Sequence, residues 1–128
     1  MFNAETLEKF YEAAYRIFQR QEFEKAADAF FFLVATNPSE HRFWCCLGLC
    51  EQLRQRYRQA IEAHGMAIIT NVDNPYPHFH SALCYRELGQ YQDALAALEL
   101  AIEYAGDKYE SLTADAKILK AEFLKNLY

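Results

Sequence analysis

With 128 residues, a formal charge of −5, 52% apolar and 16% aromatic residues, and only four glycines and three prolines, the sequence suits one folded domain with a substantial core. These figures exclude a second catalytic domain, intrinsic disorder and low-complexity architecture. The acidic balance argues against nucleic acid, since the densest basic cluster is only the interleaved Arg54, Arg56 and Arg58, which reads as a solvated turn.

The helices are announced by an internal repeat. Phe23-Glu24-Lys25-Ala26-Ala27, Tyr57-Arg58-Gln59-Ala60-Ile61 and Tyr91-Gln92-Asp93-Ala94-Leu95 share one pattern, and their first alanines lie 34 residues apart. That period belongs to the tetratricopeptide repeat, a pair of antiparallel helices with the pattern W-x2-L-G-x2-Y, then A-x3-F, then P. Trp44-x2-Leu47-Gly48 matches its first part, and Ala26-x3-Phe30 followed by Pro38 matches its second. Helices are expected over 7–20, 23–36, 41–54, 57–70, 76–88 and 91–104, so the repeats cover about 7–38, 41–72 and 75–106 of a single domain spanning 1–128. Asn37-Pro38-Ser39 and the stretch from Asn71 to Pro75 separate them, because proline cannot continue a helix but suits the first turn of the next. Small residues mark the close-packing columns: Ala14, Gly48 and Ala82 on the first helices, Ala26, Ala60 and Ala94 on the second. The departures are Glu51 where an aromatic is usual, His64 and Leu98 in the Phe30 column, and His78 in the tryptophan column.

Gly106 closes the third pair. Beyond it, Asp107-x-x-Glu110 reads as a capping box, and Leu112, Ala116, Leu119, Phe123 and Leu127 share one face of a seventh helix over about 108–127 that would cap the stack. The expected fold class is therefore all-α: three repeats of six antiparallel helices plus a C-terminal capping helix, in a right-handed α-solenoid.

No run reaches the roughly 18 apolar residues of a membrane span. The start of the chain lacks a secretory signal, and four cysteines, three of them bunched at Cys45, Cys46 and Cys50, suit a reducing compartment. A cytoplasmic protein that does not insert in membranes is expected, its thiols buried as small residues. Cys45 and Cys46 point about 100° apart on a helix, and His78 and His80 face different directions, so no metal site is expected. No phosphate loop, serine elbow or zinc-protease motif occurs, and Cys84 with His80 lacks an orienting third group. Neither catalysis nor a cofactor is expected.

Stacked helix pairs curve, with the first helix of each pair lining the inner surface. There Tyr11, Cys45 and Phe79 form one column, Tyr15, Leu49 and Leu83 the next, and Phe18, Leu53 and Tyr76 flank them; none is charged. Other columns already supply a core: Ala14, Leu47, Gly48, Ala26, Phe30, Leu33, Ala60, Ile61, Ala94, Leu98 and Ala101. The nine inner residues are thus expected to form an apolar groove that binds an extended or helical segment of another protein. The clamp of Lys, Arg and Asn by which some tetratricopeptide repeats hold acidic tails cannot form, because Tyr11, Tyr15 and Leu49 occupy its positions.

Two stretches carry a closer likeness. Phe43-Trp44-Cys45-Cys46-Leu47-Gly48-Leu49-Cys50-Glu51-Gln52 resembles the "FxxLGxCxQ" signature of the class II chaperones of type III secretion systems, and Pro75-Tyr76-Pro77-His78-Phe79-His80-Ser81-Ala82-Leu83-Cys84 resembles their "PxPxFHxAxC" motif. The tail Glu110-Ser111-Leu112 is similar to their terminal helix. The resemblance implies a non-enzymatic chaperone of the bacterial cytoplasm that holds a segment of a hydrophobic translocator protein in its groove, keeping it soluble and unassembled before export. The groove role falls on the same nine residues. Needle-subunit chaperones and general tetratricopeptide-repeat adaptors are the alternatives. Members of the family usually carry a further helical segment ahead of the first repeat, often tied to dimerisation; here the first repeat begins almost at Met1, which leaves a homodimer open.

Overall fold

The computed structural model describes residues 2–127. Seven helices follow one another: α1 (Ala4–Gln19), α2 (Phe23–Thr36), α3 (His41–Leu53), α4 (Tyr57–Thr70), α5 (Pro75–Glu87), α6 (Tyr91–Ala105) and α7 (Glu110–Leu127). The fold is all-α, and each helix packs on the next in the chain.

Local chemistry sets the boundaries. α1 starts three residues earlier than the periodicity predicts because Asn3 caps it, its Oδ1 accepting from Thr6 N at 2.8 Å. Asn74 caps α5 in the same manner, accepting from Tyr76 N, and Pro75 occupies the first turn, where its missing N–H costs nothing. The turn inside each pair is the same structure three times. Gln21, Gln55 and Gly89 stand 34 residues apart, all with left-handed backbones (φ 64°, 62° and 74°). The residue after each donates back five positions, Glu22 N to Ile17 O, Arg56 N to Glu51 O and Gln90 N to Tyr85 O, satisfying a carbonyl the helix end would leave open. One expectation fails. α7 begins at Glu110, so Asp107 lies too far upstream to cap it; Thr113 Oγ1 donates instead to Gly106 O across the turn.

The alanine columns do what their size allows. Ala14, Gly48 and Ala82, and Ala26, Ala60 and Ala94, are all buried where helices cross closely. Of the predicted core, Ile61 alone is only half-buried. Around these columns the interior divides in two. Ala14, Phe30, Leu33, Phe43, Leu47 and Cys50 belong to an apolar cluster of the first two repeats. Ala82, Ala94, Leu98, Ala116 and Phe123 form a second cluster that joins the third repeat to α7. Burial of Phe30, Phe43 or Phe123 contributes about 2–3 kcal/mol each. Between the clusters runs a seam of buried polar side chains, His64, His78 and Ser81, at the junction of the second and third repeats.

Among the described residues no helix is long and apolar enough to cross a membrane.

Candidate peptide-binding groove

None of the nine predicted groove residues is buried. Tyr15, Leu53 and Tyr76 are exposed at 40%, 51% and 45%, and Tyr11, Phe18, Cys45, Leu49, Phe79 and Leu83 are half-buried. Three of them also pack inward. Tyr11 and Phe18 pack one side against the first apolar cluster, and Phe79 packs against the second.

On α1, spacings of four and three place Tyr11, Tyr15 and Phe18 along one face, with ring centroids 6.0 and 5.9 Å apart. Tyr11 continues this aromatic ladder to Phe43 on α3 at 5.7 Å. The inner face also carries a charge that reading the nine columns missed. Arg42 lays its guanidinium 4.5 Å above the Tyr11 ring, and two carboxylates hold it there. Glu8 takes it in a two-pronged contact, Nη2 to Oε2 at 2.9 Å and Nη1 to Oε1 at 3.3 Å, and Glu40 accepts from Nε at 3.1 Å. The bonds from Arg42 to Glu8 keep the Glu8 carboxyl below the usual carboxylate range.

Further along, α3, α4 and α5 enclose a hollow of about 190 Å³ lined by Cys45, Leu49, His64, Asn74, Tyr76, Pro77 and His80. It gathers three of the predicted residues, Cys45, Leu49 and Tyr76. Leu53, Phe79 and Leu83 lie outside it. His41 braces one wall: its Nδ1–H donates to Ala67 O at 2.8 Å, and its Nε2 accepts from Asn74 Nδ2 at 3.0 Å. Asn74 in turn caps α5 and so fixes Tyr76. Tyr76 meets Tyr109 edge-on at 5.7 Å, carrying the aromatic surface towards α7. Tyr109 sits outside any repeat column, and no sequence signal marked it.

The polar seam forms the hollow's other side. His64 and His80 stack with centroids 5.6 Å apart, and both approach the Gln52 amide: His64 Nε2 lies 3.0 Å from Oε1, and His80 Nδ1 lies 3.5 Å from Nε2. His64 Nδ1 is buried without a partner among the described residues. Burial pulls His80 below the ordinary histidine range and His64 down to about 3, so both rings are neutral at pH 7. Burial also pushes the thiols of Cys45, Cys50 and Cys84 up to about 12 and that of Cys46 to about 11, which makes them weakly polar packing groups at pH 7. Cys45 and Cys46 are half-buried, not enclosed as their bunching suggests; Cys50 and Cys84 are enclosed. Among the described residues no three His, Cys, Asp or Glu side chains converge as metal ligands.

A larger cleft of about 440 Å³ holds none of the nine residues; Phe31, Trp44, Met66, Glu51, Arg54 and Arg56 are among its lining. Arg56 and Arg58 are exposed at the turn, as expected, but Arg54 and Arg56 are ion-paired there. The buried Glu51 carboxylate receives Arg54 at 2.8 Å and Arg56 at 3.1 Å, which explains a carboxylate in a column where an aromatic is usual.

No protein-family model matches the chain. It is 32% identical over 108 residues to the low calcium response locus protein H of Yersinia pestis, a match covering 84% of this chain and 64% of that protein. The chain therefore spans less than two thirds of the length of this curated relative. Among solved structures it superposes on the type III secretion translocator chaperone SycD of Yersinia enterocolitica with a TM-score of 0.94 at 27% identity, covering 100% of this chain and 90% of that one. It also matches a chain of the CopN–Scc3 complex at 31% identity and a TM-score of 0.82, over 97% of this chain and 70% of that one. SycD has also been solved with a peptide of the translocator YopD, and that structure superposes with a TM-score of 0.94 at 26% identity over 98% of both chains. With the 34-residue repeat, the two motif stretches and the seven-helix stack, these likenesses converge: the chain belongs to the family of type III secretion translocator chaperones.

Proposed function

We propose that this chain is a chaperone that binds an extended, apolar segment of a hydrophobic translocator in its groove and keeps that protein soluble and unassembled before export. The observation that carries the reading is the surplus of apolar surface. The core is complete in two clusters, yet Tyr15, Leu53 and Tyr76 remain in contact with water and their six companions are only half-covered. Exposed aromatic and aliphatic side chains in a row favour a partner that covers them. An extended segment can supply side chains to successive hollows while its main chain adds hydrogen bonds. The YopD peptide bound to SycD is consistent with such an occupant. In this reading the chain works in the bacterial cytoplasm, needs no cofactor and performs no chemistry on its client; residues 1–128 act as one domain of three repeats, with a homodimer as its candidate assembly.

Co-expression tests the reading. An otherwise insoluble translocator of the same secretion system is expected to become a soluble complex with this chain and to remain insoluble with the Tyr15→Glu variant. Failure to solubilise any translocator, with capture of an unrelated extended peptide, would assign the groove to a general adaptor.

A further inference from the structure

The seam beneath the hollow has a direction. His64 is 1% exposed, and its Nδ1 has no partner. A neutral imidazole carries one proton, and placing it on Nδ1 would bury an unpaired N–H while turning a lone pair towards the Gln52 amide. Placing it on Nε2 lets His64 donate to Gln52 Oε1 at 3.0 Å. The Gln52 amide then points its Nε2–H at His80 Nδ1, 3.5 Å away. His80 Nδ1 therefore accepts, and the single proton of His80 resides on Nε2. That nitrogen has no partner among the described residues and is not sealed from solvent, because His64 Nδ1 is the one buried polar side-chain atom left unpaired among them. His80 lines the hollow beside Cys45, Leu49, Tyr76 and Pro77.

The geometry points to His80 Nε2–H as a fixed donor that donates to a main-chain carbonyl of the bound segment, with Gln52 and His64 as positioning residues. This rests on the proposed function and deepens it. The four neighbours present apolar surface, so the side chain entering the hollow is apolar. The acceptor beside it must then come from the peptide backbone, whose carbonyls would otherwise lose water without replacement. A donor directed at the backbone ranks segments by how they place one carbonyl, and tolerates many apolar side chains at the hollow. Charge would spoil this arrangement: a doubly protonated His64 would put a donor on Nδ1 where no acceptor exists.

Two measurements on the full chain test this. Long-range proton–nitrogen spectra at pH 7.5 are expected to show His80 with its proton on Nε2, and a mixture of tautomers in Gln52→Leu; His80 with its proton on Nδ1 in the parent chain overturns the proposal whatever the groove binds. The second uses the tightest synthetic 12-residue peptide from an overlapping array of the secretion system's translocators, chosen for loss of binding to Tyr15→Glu. Ester replacement along that peptide weakens one carbonyl at a time, and one position is expected to lose about tenfold in affinity. His80→Phe should lose about tenfold on the unmodified peptide and become indifferent to that ester, while His80→Asn, which keeps a donor, recovers part of the loss. A scan in which both chains respond alike overturns the carbonyl contact and leaves the chaperone reading standing. An array with no groove-dependent peptide overturns the chaperone reading and this inference with it.

Discussion

Gly48 lies so close to His64 that a Cβ on it would stand 2.5 Å from both Cε1 and Nδ1 of the imidazole. Real Cβ atoms do not approach that closely, and a ring held by Gln52 on one side and stacked on His80 on the other has no room to retreat. The glycine that belongs to the repeat signature is therefore required by a histidine 16 positions later that departs from it. Gly48→Ala is expected to destabilise the chain by about 2–3 kcal/mol, the range of an overpacked interior. A double-mutant cycle with His64→Ala should recover most of that loss. Additive losses in urea unfolding would mean that the α3 backbone, not the ring, resists the methyl group.

The same histidine makes stability depend on pH. His64 is held neutral with its pKa lowered to about 3 from the ordinary 6.5, chiefly by burial and then by His80 beside it. Between those values the unfolded chain binds a proton that the folded chain refuses, so stability is full above about pH 6.5 and declines as pH falls. The decline is on the order of 1 kcal/mol per pH unit. His78 and His80, also lowered by burial, add to the slope. His64→Leu, the residue type that Leu98 supplies in the third repeat, should flatten the loss of urea midpoint between pH 7 and pH 5. Parallel slopes for parent and variant would place the responsible protons elsewhere.

What the sequence makes legible here is what repeats. The alanine columns, the 34-residue period and Pro75 locate six helices to within three residues because each is a local or periodic signal. Columns read across repeats single out nine residues that the structure leaves unburied, but they do not show that Tyr11, Phe18 and Phe79 also pack on the core. Arg42 and Tyr109 escape that reading for one reason: each acts on the groove through a neighbour met in space, Arg42 through Tyr11 and Tyr109 through Tyr76. His64, His78 and Glu51 are visible as departures, yet their meaning lies in partners. Gln52 pairs with His64, Tyr104 stacks on His78 at 5.2 Å, and two arginines converge on Glu51. Asp107 misled because a capping box is a pattern of residue types, and the turn at Gly106 delays the helix past it.

Exposure separates binding from folding within the groove itself. Tyr15 contacts Tyr11 and Phe18 but is 40% exposed, so Tyr15→Glu should change unfolding free energy by less than about 1 kcal/mol while abolishing client capture. Phe79 packs on the second apolar cluster, and Phe79→Glu should cost about 2–3 kcal/mol in addition to abolishing capture. Thermal unfolding of the two variants beside co-purification of a translocator checks both halves. Loss of stability in Tyr15→Glu equal to that in Phe79→Glu would make the α1 aromatic ladder part of the core.

The turn within each repeat offers a gain. Gln21 and Gln55 hold left-handed backbones that Gly89 adopts freely in the third repeat, and no hydrogen bond is made by either glutamine side chain among the described residues. A residue with a Cβ pays about 1 kcal/mol in that region, offset in part by the greater freedom glycine loses on folding. Gln55→Gly should therefore raise stability by about 0.5 kcal/mol, or roughly 2 °C in melting temperature. Gly89→Ala is the converse, and open space around Gly89 removes any steric contribution, so its loss of about 1 kcal/mol would come from φ alone. A neutral Gln55→Gly beside a destabilised Gly89→Ala would show that the glutamine stem covers apolar surface in the turn to an equal extent, making the second repeat's turn a packing site and not merely a hinge of the backbone.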